Sequence, residues 1–386
     1  MTRSQQHRVG VIGGGQLAWM MAPGAAKLGI SLAVQTPNKA DPAVAIADQT
    51  ILAAVADVDG TRRLAEQCDV ITFENEFVDL PALRSLAQAG VHFLPSLDAL
   101  APLLDKSTQR QFLEDHGLPN PPFVTLEDDL APDEVQTRLA RLGWPLVLKT
   151  RRLGYDGQGT FILKTAADFE HTWAKLNRAP VILEAFIPFE KELAVMVARS
   201  PQGAIVVYPV VETQQVNQVC RRVIAPAPVN PSVVAQIDAI ARTLVEKLDF
   251  VGVLGIEFFL APGDRVLINE IAPRTHNSGH YTLDACITSQ FEQQLRAVCG
   301  LPLGAPDLTC AQAVMVNLLG FETADSDYHD MRQRLTQVPN ATVYWYSKTA
   351  SRPGRKLGHV TLRLTAEADP NAAIAIVESL WYPNIA

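Results

Sequence analysis

No apolar run in this chain reaches the length of a membrane span, its positive charges are outnumbered, and its cysteines never fall in a Cys-x-x-Cys spacing. Each absence excludes a class of protein. Without a run of about 20 apolar residues, and with Met1-Thr-Arg-Ser-Gln-Gln-His-Arg leading directly into an apolar strand, neither a membrane protein nor a secreted precursor is expected. The expected compartment is the cytoplasm. The balance of 33 Lys and Arg against 41 Asp and Glu, a net charge of -8, argues against a nucleic-acid coat. The five cysteines, Cys68, Cys220, Cys286, Cys299 and Cys310, are odd in number and read as buried thiols of a reducing environment. There is no internal repeat and no low-complexity segment. A length of 386 residues with 48 % hydrophobic content suffices for two or three ordinary domains.

What is present is a pair of glutamates in an unusual place. Gly255-Ile-Glu-Phe-Phe-Leu and Arg265-Val-Leu-Ile-Asn-Glu-Ile read as two strands joined at Gly263-Asp264. A two-residue loop pairs 262 with 265, 260 with 267 and 257 with 270, so Glu257 and Glu270 face each other. Like charges opposite one another destabilise a ladder by roughly 0.2 to 1 kcal/mol, which suits a hard divalent cation between them. Magnesium takes one or two carboxylates plus substrate phosphates, and Asn269 adds a further oxygen. The plainer reading is a solvated polar face.

Upstream lie phosphate-binding signals. Pro145-Leu-Val-Leu-Lys-Thr looks like a buried strand delivering Lys149, followed by Arg151-Arg-Leu-Gly-Tyr-Asp-Gly-Gln-Gly-Thr. Gly154, Gly157 and Gly159 let a backbone approach phosphate oxygens, although the segment is not a Walker A loop. Val181-Ile-Leu-Glu-Ala-Phe-Ile-Pro then reads as a strand that becomes a linker, able to present backbone groups to an adenine edge, with Glu192 beyond it for ribose hydroxyls.

The amino-terminal part alternates apolar strands (9–12, 31–36, 70–73, 92–94) with helical stretches, which predicts an open parallel sheet. Leu104-Asp-Lys-Ser-Thr-Gln-Arg opens a helix with Asp105 as its cap. From about Pro201 a large antiparallel sheet is expected, and beyond Pro306 a small region with a frayed tail. Gly13-x-Gly15-x-x-Ala18 satisfies the dinucleotide fingerprint, so an NAD-dependent oxidoreductase is a rival reading. Against it, the expected acidic residue is replaced by Gln35-Thr-Pro, while the same turn could bind a monophosphate. His276 and His280 have a spacing that binds zinc on a helix, but Asn277-Ser-Gly between them favours a hydrogen-bonded loop.

In the order lysine strand, glycine loop, hinge strand, carboxylate hairpin, the chain resembles the ATP-grasp superfamily. Val11-Ile-Gly-Gly-Gly-Gln-Leu, Ile71-Thr-Phe-Glu-Asn-Glu, Asn269-Glu-Ile-Ala-Pro-Arg-Thr-His-Asn-Ser-Gly-His and Ser351-Arg-Pro-Gly-Arg-Lys-Leu-Gly-His narrow the resemblance to the 5-(carboxyamino)imidazole ribonucleotide synthases of purine biosynthesis, from about Val9 to Arg363. The resemblance implies mixed α/β and α+β architecture: a Rossmann-like domain at 1–103, an ATP-grasp domain at 104–305 with a lid-bearing subdomain at about 120–190, and a carboxy-terminal domain at 306–386. It implies a ligase that carboxylates 5-aminoimidazole ribonucleotide using ATP and bicarbonate, with Mg²⁺ or alternatively Mn²⁺, through carboxyphosphate, in a homodimer with no nucleic-acid or membrane partner.

Residue by residue, the resemblance implies ATP contacts at Lys106, Lys149, Gly154, Gly157, Gln158, Gly159, Thr160, Glu184, Ala185, Phe186, Ile187, Glu192, Gln215, Asn269 and Glu270, with the metal on Glu257 and Glu270. Gln16, Leu17, Glu74, Glu76, Asn277, Arg352 and Arg355 would meet the ribonucleotide. Tyr155, Asp156, Arg274, His276 and Lys356 would act at the reacting groups. The chain departs from the family pattern at Gln158, where a basic residue is expected, and at Gln215, where a histidine is expected; glutamine hydrogen-bonds but carries no charge. Another ATP-grasp ligase, or a nucleotide-binding sensor without turnover, therefore stands as an alternative.

Overall fold

The computed structural model describes residues 7–152 and 159–382. Its amino-terminal strands are short and apolar, and they form a parallel sheet in the order Gln49–Leu52, Ser31–Thr36, Arg8–Ile12, Val70–Phe73. Every residue of Val70–Phe73 is buried, as a strand covered on both faces requires. Two details correct the sequence reading. The strand Gln49–Leu52 was not expected, because at the sheet edge only Ile51 is buried and the apolar signal is correspondingly weak. The expected strand at 92–94 contributes a single bridge, Ile71 with Phe93.

A second sheet, antiparallel, runs Phe123–Leu126, Val181–Ala185, Leu146–Thr150, Thr160–Leu163. The helices Pro132–Leu142 and Ala166–Lys175 cover it, and Leu139, Phe169 and Trp173 pack against Leu146, Leu148 and Leu183. The helix Lys106–Asp115 begins as expected, with the Asp105 carboxylate accepting from the Ser107 amide at 2.8 Å.

The third sheet holds nine strands among the described residues. Eight form a continuous path: Arg265–Ala272, Gly252–Ala261, Lys191–Arg199, Val211–Val216, Val219–Ala225, Gln312–Leu319, Lys356–Leu364, Ala341–Trp345. It starts ten residues earlier than expected, at Lys191, and does not stop at 305, since Arg222 to Ala225 pair with Val316 to Ala313. Beyond 306 the described residues are ordered through 382. The helix Pro370–Trp381 buries Trp381 completely, and its Glu378 receives Arg221 at 2.8 Å and Arg222 at 2.5 Å. One apolar core joins Ile12, Ile71 and Phe73 of the first sheet to Leu193, Leu254 and Ile256 of the third, which fixes the two sheets across a shared cleft. No helix of the described residues is long and apolar enough to cross a membrane.

Candidate active site

The glutamate hairpin is built differently from the simplest expectation, yet delivers the same pair. The loop has three residues, 262–264, with Ala261 opposite Arg265 and Leu260 opposite Val266. Gly263 and Asp264 both adopt positive φ, 78° and 58°. Carried along a regular ladder, this pairing would set Glu257 against Asn269. Instead the register shifts between Glu257 and Phe258: Phe258 pairs with Ile268, Glu257 pairs with Glu270, and Asn269 is the extra residue of a bulge. The one-residue error of the expected turn and the unanticipated bulge cancel.

Arg110 secures that bulge from below. Its buried guanidinium donates to the Ile268 and Asn269 carbonyls at 3.2 and 2.6 Å and to Glu184 Oε1 at 2.8 Å. Glu184 also pairs with Lys149 at 2.9 Å, and Lys149 Nζ donates to Asn269 Oδ1 at 3.1 Å. Burial works against ionisation of Glu184, but Arg110 and Lys149 outweigh it and hold the carboxyl at about 2. Glu184 therefore spends its carboxylate on orienting Lys149. Burial also lowers the Lys149 ammonium, while Glu184 opposes that change. The Ala185 and Phe186 amides donate to the Pro122 and Pro145 carbonyls at 2.9 and 3.3 Å, so neither N–H is available to a purine edge, and Ile187 lines the cleft beyond them.

Glu257 and Glu270 face each other, and their surroundings push the two carboxyls in opposite directions. Burial, reinforced by Glu270 and Glu192, pushes Glu257 up to about 8. Burial would raise Glu270 too, but Lys106, whose Nζ lies 2.6 Å away, then Lys149 and His276, hold it down at about 2. The Glu270 side chain is 43 % exposed and lines the cleft. Two opposed carboxyls are the kind of oxygen donor a hard divalent cation takes. Burial pushes Glu192 up to about 7, and its carboxylate accepts from Gln215 Nε2 at 3.2 Å.

The glycine turn holds the main surprise. The Gly15 and Leu17 amides donate to the Glu74 carboxylate at 3.1 and 3.2 Å, and a Cβ on Gly13 would meet Glu74 Oε2 at 2.5 Å. The turn does bind an anion, but that anion is Glu74. A monophosphate has no place on those amides, and neither has a dinucleotide pyrophosphate. Gln35 is fully buried and structural: it donates to the Ala54 and Asp57 carbonyls at 2.6 and 3.0 Å and accepts from Thr61 at 2.8 Å.

Beside Glu74, Glu76 pairs with Arg274 at 2.9 Å, and His276 Nε2 stands 3.7 Å from Glu257 Oε1. Asn277 and Asn317 exchange amide hydrogen bonds of 2.9 and 2.7 Å. The short 3-10 turn Asn277–Gly279 separates His276 from His280, as the sequence reading of a loop required. Lys348, which that reading missed, donates to Gln16 Oε1 at 2.8 Å and to the Lys356 carbonyl at 3.2 Å. Its one sequence signal is its position just ahead of Arg352, Arg355 and Lys356. Arg355 turns back to donate to the Ala350 carbonyl.

A single cleft of about 1070 Å³ gathers Gln16, Leu17, Glu74, Glu76, Lys106, Lys149, Thr160, Glu184 to Ile187, Glu192, Gln215, Glu257, Asn269, Glu270, Arg274, His276, Asn277, Lys348, Arg352, Arg355 and Lys356. Gly159 lies just outside it, in a left-handed conformation (φ 81°) with its carbonyl on the Thr150 amide. Gly154, Tyr155, Asp156, Gly157 and Gln158 lie outside the described residues.

Comparison with known proteins agrees along the whole chain. Residues 6–102 match the ribonucleotide synthetase preATP-grasp domain, 111–291 the ATP-grasp domain, and 313–372 the phosphoribosylaminoimidazole carboxylase C-terminal domain. The chain is 58 % identical to an N5-carboxyaminoimidazole ribonucleotide synthase of Synechococcus elongatus, over 98 % of its own length and 96 % of the relative's. It is similar to the solved carboxyaminoimidazole ribonucleotide synthase of Aspergillus clavatus complexed with ATP, with 34 % identity, a TM-score of 0.90, and coverage of 97 % and 98 % of the two chains. A structure of the enzyme from the same organism with ADP and 5-aminoimidazole ribonucleotide matches at 32 % identity and a TM-score of 0.87, covering 98 % and 97 %.

Proposed function

The chain belongs to the N5-carboxyaminoimidazole ribonucleotide synthases of the ATP-grasp superfamily, and from that membership we propose how its own residues divide the work. It is an ATP-dependent ligase that carboxylates 5-aminoimidazole ribonucleotide in purine biosynthesis. Bicarbonate is the proposed carbon source. As a poor electrophile it needs activation, and phosphorylation to carboxyphosphate provides it.

Lys149, oriented by Glu184, and Lys106 face the ATP phosphates and neutralise charge that spreads during phosphoryl transfer. Glu257 and Glu270 would hold Mg²⁺ or Mn²⁺, which when bound supplies electrostatic stabilisation to the phosphates. Glu192, paired with Gln215, is assigned to the ribose hydroxyls, and the 185–187 linker to the adenine end. At the other end, with the glycine turn filled by Glu74, the substrate phosphate is assigned to Arg352, Lys348 and Lys356. Arg274, His276 and Asn277 stand between the halves, and Tyr155 and Asp156 are assigned to the reacting groups on sequence alone.

The observation that carries this division is the meeting of both halves in one cleft at Glu257 and His276, 3.7 Å apart. ADP and carboxylated product, measured together with bicarbonate and with or without aminoimidazole ribonucleotide, test it. Equal amounts of both, dependent on both substrates, are expected; ADP release without carboxylated product would overturn it. The expected pairing of two copies is checked by sedimentation velocity.

A further inference from the structure

Gln290 opens the helix Gln290–Val298, which Ser289 caps by accepting the Glu292 amide at 3.1 Å. A helix-opening side chain ordinarily faces solvent or the cap, but this one is fully buried and directed at a different segment. Its Oε1 accepts the His276 amide at 2.9 Å and its Nε2 donates to the His276 carbonyl at 2.7 Å. One side chain therefore satisfies both backbone groups of His276, as a neighbouring strand would, at the point where the chain has left the sheet after Ala272.

The second Nε2 hydrogen points to His280 Nδ1 at 3.2 Å. An amide NH₂ only donates, so His280 Nδ1 accepts and the imidazole proton sits on Nε2. The backbone packs closely against both Gln290 and His276. A Cβ on Gly279 would lie 2.6 Å from Gln290 Oε1, and a Cβ on Gly255 would lie 2.6 Å from the His276 Cβ. His276 is thus held between the amide of Gln290 on one side and the bare backbone of Gly255 on the other. Its ring then projects toward Glu257, with Nδ1 hydrogen-bonded to Ser278 Oγ at 2.9 Å.

We propose that Gln290 is a positioning residue for carboxylation: by clamping the backbone of His276 it aims the Arg274 to Asn277 segment at the meeting point of ATP and ribonucleotide, without itself touching either. The inference rests on the assignment of that segment to the reacting groups. Gln290→Glu keeps the size and the acceptor for the His276 amide but loses both donors; Gln290→Met loses all three hydrogen bonds. For both variants kcat should fall about tenfold or more and KM for the ribonucleotide should rise, while KM for ATP stays within about threefold, because the Lys106 and Lys149 end is built on other elements. Unchanged kcat in a folded variant would overturn the proposal, and so would an equal loss toward ATP and ribonucleotide, the signature of general loosening. A measurement on the unaltered enzyme does not depend on the variants folding: ¹⁵N-histidine NMR, with the His280 and His359 signals assigned, should show the buried His280 imidazole in the Nε2–H form, and an Nδ1–H form for His280 would remove the clamp. If the unaltered enzyme forms no carboxylated product, the underlying assignment fails instead.

Discussion

Two chemically identical glutamates are set apart here by a single lysine. Lys106 reaches Glu270 at 2.6 Å and stabilises its charge, whereas Glu257 faces that charge and Glu192, with His276 Nε2 3.7 Å away. Glu270→Gln keeps the shape and removes the ionised member, so ATP turnover should fall by at least about a hundredfold while ATP binding changes far less. Turnover within a few-fold of the unaltered enzyme would remove the pair from the metal site. Glu257 makes a separate prediction. Its folded value of about 8 lies above the ordinary 4.5, so between those values the folded protein retains a proton that the unfolded chain releases. This group's contribution is therefore favourable at low pH and is lost as pH rises toward 8. In metal-free protein Glu257→Gln should flatten that slope of Tm against pH, and added Mg²⁺ should raise Tm most near pH 8, where proton competition is weakest. A Tm slope unchanged in the variant would contradict the assignment.

Among the elements, the bulge at Asn269 and its support matter most. A bulge splays two carbonyls away from the ladder, and Arg110 collects both while also binding Glu184. Arg110→Met would strand Glu184 beside Lys149 alone and leave the carbonyls of Ile268 and Asn269 without that donor. The cost of breaking such a buried pair is about 3–5 kcal/mol, measurable by urea unfolding, and a loss below about 1 kcal/mol would show the support to be dispensable. The adjoining amino-terminal turn follows a related principle. A glycine turn selects an anion at its amides, but the long-range approach of Glu74 decides which anion that is.

At the scale of the molecule, three segments that read as separate domains share structure at their borders. The strand Val219–Ala225 pairs with Gln312–Leu319, and Arg221 and Arg222 reach across to Glu378. A chain ending at Ala305 would lose those partners and expose a long apolar sheet edge. It should be insoluble or lack a cooperative melting transition by circular dichroism; a soluble, cooperatively folding fragment would show the carboxy-terminal region to be an appendage. The cleft depends on the same continuity, since Lys348 and Lys356 enter it from beyond that border.

The sequence by itself determined the features that depend on neighbouring residues: the Lys149 strand, the Asp105 cap, the two glutamate strands and the glycine turn, together with the order of motifs that carries the family resemblance. Periodicity, capping and turn chemistry act over a few residues and are legible there. Tertiary structure alone decided the charge on Glu270, the anion at the glycine turn, the support from Arg110, the entry of Lys348 and the clamp of Gln290. Each of these is a pairing between distant positions: 164 residues separate Lys106 from Glu270, and 332 separate Gln16 from Lys348. Such a pairing exists only after the sheets have packed, and burial then converts an ordinary side chain into one with a specified partner and charge.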